Sequence, residues 1–200
     1  MICEKITDRT KAIVIINPNN PTGALYPKEV LQQIVELARE HQLIIFSDEI
    51  YDRLVMDGLE HVSIASLAPD LFCVTFSGLS KSHMIAGFRI GWMILSGNKA
   101  IAKDYIEGSN ALQHASLLQC SGTVRCPDRS WRPPECQRLH RSGRTDLRAA
   151  RIRYKAFCDI PGITAVKPKA AFYMFPKLTR KVQYHNDENL LSICCATKNF

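Results

Sequence analysis

Asn20, Asp48, Tyr51, Ser77, Ser80, Lys81 and Arg89 are the residues whose types and spacing could do chemistry together. The stretch SGLSKSHMIAGFRIGW, Ser77 to Trp92, sets Lys81 among small residues and places Arg89 eight positions later with no acid between them. An arginine fork with a hydroxyl beside it matches a phosphate dianion. A lysine amine whose pKa is lowered by nearby charge can bond a carbonyl carbon and shuttle protons. An aspartate can keep a ring nitrogen protonated. An asparagine and a tyrosine can both hydrogen-bond a phenolic oxygen. The plainer alternatives are a solvated lysine, Asp48 as a helix cap, Tyr51 in a core, and Ser77 and Ser80 as shapers of a turn. Glu49, His83 and His41 read as structural.

Positioning these groups requires a set of short elements. Ala12 to Ile16 (AIVII) predicts a buried strand, and NPNNPTG, Asn17 to Gly23, a turn. Pro27 suits the first turn of a helix on which Val30, Ile34, Leu37 and His41 recur at helical spacing. Leu43 to Ser47 (LIIFS) is the next strand. Strand, helix and strand within about 35 residues make a βαβ unit and imply a parallel sheet. Phe72 to Phe76 and Ile90 to Leu95 add two strands, and Lys99 to Gly108 a short helix. Ile163 to Val166 and Ala171 to Phe175 (AFYMF) read as strands around a KPKA turn. In open parallel sheets, ligands sit beyond the carboxyl ends of the strands. Asn20 follows the first strand, Asp48 and Tyr51 the second, and Ser77, Ser80 and Lys81 the third, with Arg89 just before the fourth. All of them converge on one edge of one sheet.

Pyridoxal phosphate asks for all of these groups at once. Its pyridine nitrogen takes a carboxylate, its phenolic oxygen takes asparagine and tyrosine, its phosphate takes arginine and hydroxyl, and its aldehyde takes lysine. NPNNPTG, DEIY and SxxSKxxxxxGxRxG, in this order, resemble the class I/II aminotransferases of fold type I. The alanine–glutamate (alanine–pyruvate) subgroup is the most similar, from INPNNPTGALYPKE, LIIFSDEIYDRL, AGFRIGWMIL and AVKPKAAFYMFPK. The resemblance covers about Ile6 to Ala111 and Ile152 to Asn189. It implies an α/β fold: part of a large cofactor domain with a mostly parallel sheet, then the start of a small C-terminal α+β domain. It implies Lys81 as the lysine that bonds the cofactor and acts as acid and base, Asp48 at the pyridine nitrogen, and Asn20 and Tyr51 at the phenolic oxygen. Arg89 is implied at the phosphate, with Ser77 or Ser80 as its hydroxyl. The implied reaction moves an amino group between an amino acid such as alanine and a 2-oxo acid such as 2-oxoglutarate or pyruvate, in a homodimer. A carbon–sulfur lyase or a decarboxylase of the same fold type would use the same cofactor residues.

Two family features have no match in this sequence: a glycine-containing loop with a stacking ring ahead of NPNNPTG, and a late arginine for the substrate carboxylate. A truncated chain, inactive by itself, is the expectation. The net charge of +7 is also unevenly placed. Leu112 to Arg153 holds nine arginines, no lysine and three acids, which accounts for six of the seven charges. That segment has no sustained period. Cys120, Cys126, Cys136 and His140 lie in it, but C-x5-C-x9-C-x3-H lacks the tight C-x2-C pair of a zinc knuckle, so no metal is expected. A frame shift accounts for more: permitted codons for His114 to Ser130, read one nucleotide out of register, can give MRLCSNVPAQFAVQTA, a family-like stretch. Leu191 to Lys198 can similarly give LDLLRYEK. The expected organisation is 1–111 as part of the cofactor domain, 112–151 out of frame and disordered, 152–189 as the start of the small domain, and 190–200 as an out-of-frame tail. A non-enzymatic remnant, or a basic module centred on Arg125 to Arg153, is the other class of function. The start lacks the apolar run of a signal peptide, and no run approaches the roughly 18 residues of a membrane span, so a cytoplasmic protein with no membrane or nucleic-acid partner is expected.

Overall fold

The β-branched run Ala12–Ile16 forms β1, and the equally apolar Ile44–Asp48 forms β2 beside it in parallel, with Ile16 opposite Asp48. Helix α1, Lys28–Glu40, makes the crossover between them. β3, Cys73–Gly78, pairs parallel to β2, and β4, Gly91–Ser96, returns antiparallel to β3, giving the order β1-β2-β3-β4. A four-residue helix α2, Leu79–Ser82, opens the β3–β4 connection. A 3-10 turn at Lys99–Ala102 leads into α3, Lys103–Ser116. The second unit is α4, Thr145–Cys158, followed by the antiparallel pair β5, Ile163–Ala165, and β6, Pro176–Leu178. This is a computed structural model, and it describes residues 3–116 and 145–178.

Each sheet face carries its own apolar cluster, and the β1 end of the second face stays open at Val14, which is 72% exposed. Ile13, Ile15, Ile45 and Cys73 share one face and pack on α1 and on the turn around Ile64 and Ala68. Phe46, Val74 and Leu95 share the other face and pack with Ala102, Tyr105 and Ile106 from the α3 side. The buried stripe of α1 is Leu31, Ile34, Val35 and Ala38, one position round from the expected one, and Val30 is exposed. The stripe at i, i+3, i+4 and i+7 from Leu31 is the wider apolar surface, so it takes the sheet.

Several expectations shift. The second, third and fourth strands begin at Ile44, Cys73 and Gly91, each one residue later than read from the sequence. The helix read as Lys99 to Gly108 extends to Ser116, and Thr145 to Arg151 is helical, so helix enters the segment 112–151 from both ends. Residues 117–144, with the cysteine cluster, and the tail 190–200 lie outside the described residues. Ala171 to Phe175 is not a strand. Ala170 makes a single antiparallel bridge to Val55, and Ala171 then takes a left-handed backbone (φ 58°), which ends extended pairing.

The second unit is tied to the sheet edge through Gly23. Its carbonyl accepts the amides of Lys169 and Ala170 at 2.9 and 3.0 Å. Gly23 has φ +68°, and a Cβ there would stand 2.5 Å from the Tyr173 carbonyl oxygen and 2.9 Å from the Pro168 side chain. Gly23→Ala is therefore expected to cost about 1–3 kcal/mol in urea unfolding. Gly58→Ala, with φ +72° and open space around it, is expected to cost about 1 kcal/mol and isolates the backbone strain. Ile45→Ala, at a fully buried position in mid-sheet, is expected to cost about 2–5 kcal/mol by the same measurement.

Candidate functional site

The polar residues gather at the carboxyl edge of β1, β2 and β3. The antiparallel return of β4 is what adds Arg89 to that edge, since the residue before β4 stands beside the end of β3. Gly78 faces Gly91 at the last rung, and a Cβ on Gly78 would lie 2.7 Å from the Ile90 carbonyl. The turn carrying Lys81 is pinned at both ends. The Leu79 amide donates to the Ile90 carbonyl (3.1 Å), the His83 amide to the Leu79 carbonyl (3.1 Å), and the Ser82 hydroxyl to the Gly78 carbonyl (3.1 Å).

Lys81 and Tyr51 meet directly: the Lys81 Nζ stands 5.7 Å from the centroid of the Tyr51 ring, a cation over an aromatic face. Tyr51 is buried. Burial, and next the hydrogen bond shared with Tyr173, push its phenol well above the ordinary range, and the Asp48 charge adds to that. Asp48, the last residue of β2, accepts the Ile50 amide on Oδ1 (3.1 Å) and is half-buried. Strand alternation turns its neighbours Ser47 and Glu49 to the opposite side. There Glu49 is buried and accepts the hydroxyls of Ser47 (2.9 Å) and Ser63 (3.0 Å) and the amide of Ile64 (3.3 Å). Burial lifts the Glu49 carboxyl above its ordinary pKa, and these donors oppose the lift. His61 lies 3.7 Å from Glu49 and 3.1 Å from the Asn17 carbonyl, and its own burial lowers its pKa. Glu49 thus has the structural place read from the sequence.

The turn after β1 is built by Asn17 and Asn19 rather than Asn20. Asn17 is buried and accepts the Tyr26 amide (2.9 Å), while Asn19 accepts the Thr22 hydroxyl (2.6 Å). Asn20 is left exposed at the same edge. Ser77 and Ser80 are half-buried, and neither hydroxyl makes a hydrogen bond among the described residues. Arg89 is exposed, holds a left-handed backbone (φ 54°), and donates to the Ala86 carbonyl (3.1 Å). A non-glycine residue in that conformation is uncommon, and such strain concentrates at functional positions. Neither Lys81 nor Arg89 forms an ion pair among the described residues. The structure therefore brings Lys81, Tyr51 and Asp48 into one group and leaves Asn20, Ser77, Ser80 and Arg89 on the loops and strand ends of the same sheet edge. One member was not read from the sequence: the Tyr173 hydroxyl lies 2.7 Å from that of Tyr51. The signal was present in AFYMF, where a hydroxyl breaks an otherwise apolar run. The edge offers two unneutralised cations, a carboxylate, free hydroxyls and a phenol. That donor set suits an anionic ligand with a carbonyl carbon at one end and a basic ring nitrogen.

Comparison with known proteins gives the family of the chain. The model of the aminotransferase class I and II family matches residues 1–193. The glutamate-pyruvate aminotransferase AlaA of Escherichia coli (strain K12) is 48% identical over 191 residues, covering 94% of this chain and 47% of the relative. The alanine aminotransferase of Mycobacterium tuberculosis (strain H37Rv) is 42% identical over 198 residues, covering 94% and 44%. A crystal structure of an Escherichia coli aminotransferase superposes with a TM-score of 0.86 at 46% identity, covering 94% of this chain and 47% of that one. The alanine aminotransferase of Pyrococcus furiosus follows with a TM-score of 0.71 at 36% identity, with coverage of 94% and 47%. The chain spans about half the length of the curated relatives it matches, and within that span it belongs to the class I and II aminotransferase family.

Proposed function

We propose that this chain carries the pyridoxal-phosphate edge of an aminotransferase that exchanges an amino group between alanine and a 2-oxo acid such as 2-oxoglutarate. The observation that carries the reading is the pair of cations, Lys81 and Arg89, without a carboxylate partner among the described residues at an edge that also holds Asp48 and Tyr51. Arg89, with the free hydroxyls of Ser77 and Ser80, would hold the phosphate. Asp48 would keep the pyridine nitrogen protonated, and Asn20 and Tyr51 would hydrogen-bond the phenolic oxygen. The cofactor, when bound, supplies an electron sink for charge that develops at the substrate α-carbon. Lys81 would bind the aldehyde carbon in the resting state and then take and return the proton at the α-carbon. The Tyr51 ring beneath its ammonium limits where that amine can go. The substrates named for the relatives, glutamate with pyruvate and alanine, support the choice of amino acid. A homodimer and a cytoplasmic location belong to the same reading and rest on the family alone. Among the described residues, no helix is long and apolar enough to cross a membrane. The proposed division of the chain places the cofactor edge in 1–111 and the start of a second domain in 152–189.

Adding pyridoxal phosphate to the purified chain is expected to give one equivalent of a visible absorbance band that is stable to gel filtration. Lys81→Ala is expected to abolish that band, and Arg89→Gln to weaken cofactor affinity by about tenfold or more, as loss of a charged hydrogen bond to phosphate does. A band that survives in Lys81→Ala would sink the assignment.

A further inference from the structure

We infer that Tyr173 is a positioning residue for this site, donating its hydroxyl proton to the Tyr51 oxygen so that the proton of Tyr51 is left for the phenolic oxygen of the ligand. The inference rests on the cofactor reading above and adds to it a residue from the second unit. A phenol has one proton and can also accept, so two hydroxyls 2.7 Å apart must divide the roles. If Tyr51 donates to Tyr173, it has nothing to give the ligand. If Tyr173 donates, Tyr51 can pass its own proton onward, and the two bonds polarise one another in the same direction.

The backbone holds Tyr173 in place for that task. The Ala171 amide donates to the Leu54 carbonyl (2.8 Å) and the Met56 amide to the Lys169 carbonyl (2.9 Å), on either side of the Val55–Ala170 bridge. The loop that follows Tyr51 and the segment that precedes Tyr173 are thus paired as a short antiparallel ladder. Phe172 and Tyr173 stand nearly perpendicular to the Tyr51 ring, with centroids at 6.0 and 5.7 Å and interplanar angles of 85° and 84°. Tyr51 is therefore packed by two rings of the second unit and has a face toward Lys81. Its hydroxyl orientation is left as the one freedom, and Tyr173 removes it. Tyr173→Phe deletes the hydroxyl and keeps the ring.

The test compares cofactor-loaded wild type, Tyr173→Phe, Tyr51→Phe and the double variant by pH titration of the bound cofactor's absorbance, with cofactor affinity from titration of the unloaded chain and urea midpoints as a folding control. Tyr173→Phe is expected to move the titration midpoint in the same direction as Tyr51→Phe and by less. It is also expected to weaken affinity by about fivefold, the scale of one hydrogen bond. In the Tyr51→Phe background the second substitution is expected to add nothing, because its effect runs through the Tyr51 hydroxyl. An unchanged midpoint in Tyr173→Phe, or shifts that add in the double variant, would overturn the inference while leaving the cofactor assignment intact. A wild-type chain with no band, or a band indifferent to Lys81→Ala, would overturn the assignment and this inference with it.

Discussion

The close backbone approach where Gly78 faces Gly91 decides where both cations stand. β3 runs parallel to β1 and β2, and the chain must then reverse to bring β4 back beside it. The reversal holds because a side chain at Gly78 would meet the Ile90 carbonyl at 2.7 Å and none is present. Lys81 and Arg89 lie within the reversal. Had β4 joined in parallel, the residue preceding it would sit at the opposite edge, about 20 Å away across a six-residue strand. One pair of glycines therefore places a lysine and an arginine on the same side of the sheet.

Behind that edge the packing is polar and satisfied. The alternation of β2 sends Asp48 one way and Ser47 and Glu49 the other. Glu49 is buried at 5% exposure yet has three donors on Oε1 and His61 near Oε2. A buried carboxylate left unpaired would be costly, so the loop carrying Ser63 and Ile64 is held down by what it gives to Glu49. His61 extends the same network to the Asn17 carbonyl, and the Asn17 amide donates to the Asp48 carbonyl (3.0 Å). The ends of β1 and β2 are joined in this way without any atom of Asp48's carboxylate being used.

Local signals made much of this legible. AIVII and LIIFS read as strands and NPNNPTG as a turn, and all three form, although β1 is not the buried strand expected: Ile15 is buried and Val14 is 72% exposed. Asp48, Tyr51 and Lys81 stood out in the sequence because each ends or follows such a strand. The register of α1 was less legible, since Val30 and Leu31 are equally apolar and only the sheet chooses between them. AFYMF misled for a related reason: its residues suit a strand, but the left-handed backbone of Ala171 is imposed by contacts with Leu54 and Gly23, far away in sequence. The contact of Tyr173 with Tyr51 was invisible because the two are more than a hundred positions apart. In the turn after β1, three asparagines compete for the same roles. Sequence could not say that Asn17 and Asn19 would serve the turn and leave Asn20 at the surface.

The second unit has a place in the site that its position in the chain does not suggest. Gly23 receives two amides from Lys169 and Ala170, and Leu54 receives one from Ala171. The turn bearing Asn20 and the loop bearing Tyr51 are thus docked on the same short segment. Asp57, which pairs with both Arg151 and Lys167, adds a charged clasp on the far side of that segment. Exposed ion pairs of this kind contribute little by themselves, on the order of 0–1 kcal/mol. The backbone ladder is the stronger tie, because its donors and acceptors would otherwise be buried without partners. A change that loosens 169–173 would thus disturb both the Asn20 turn and the Tyr51 loop at once, while the Gly78–Gly91 reversal would keep Lys81 and Arg89 in place.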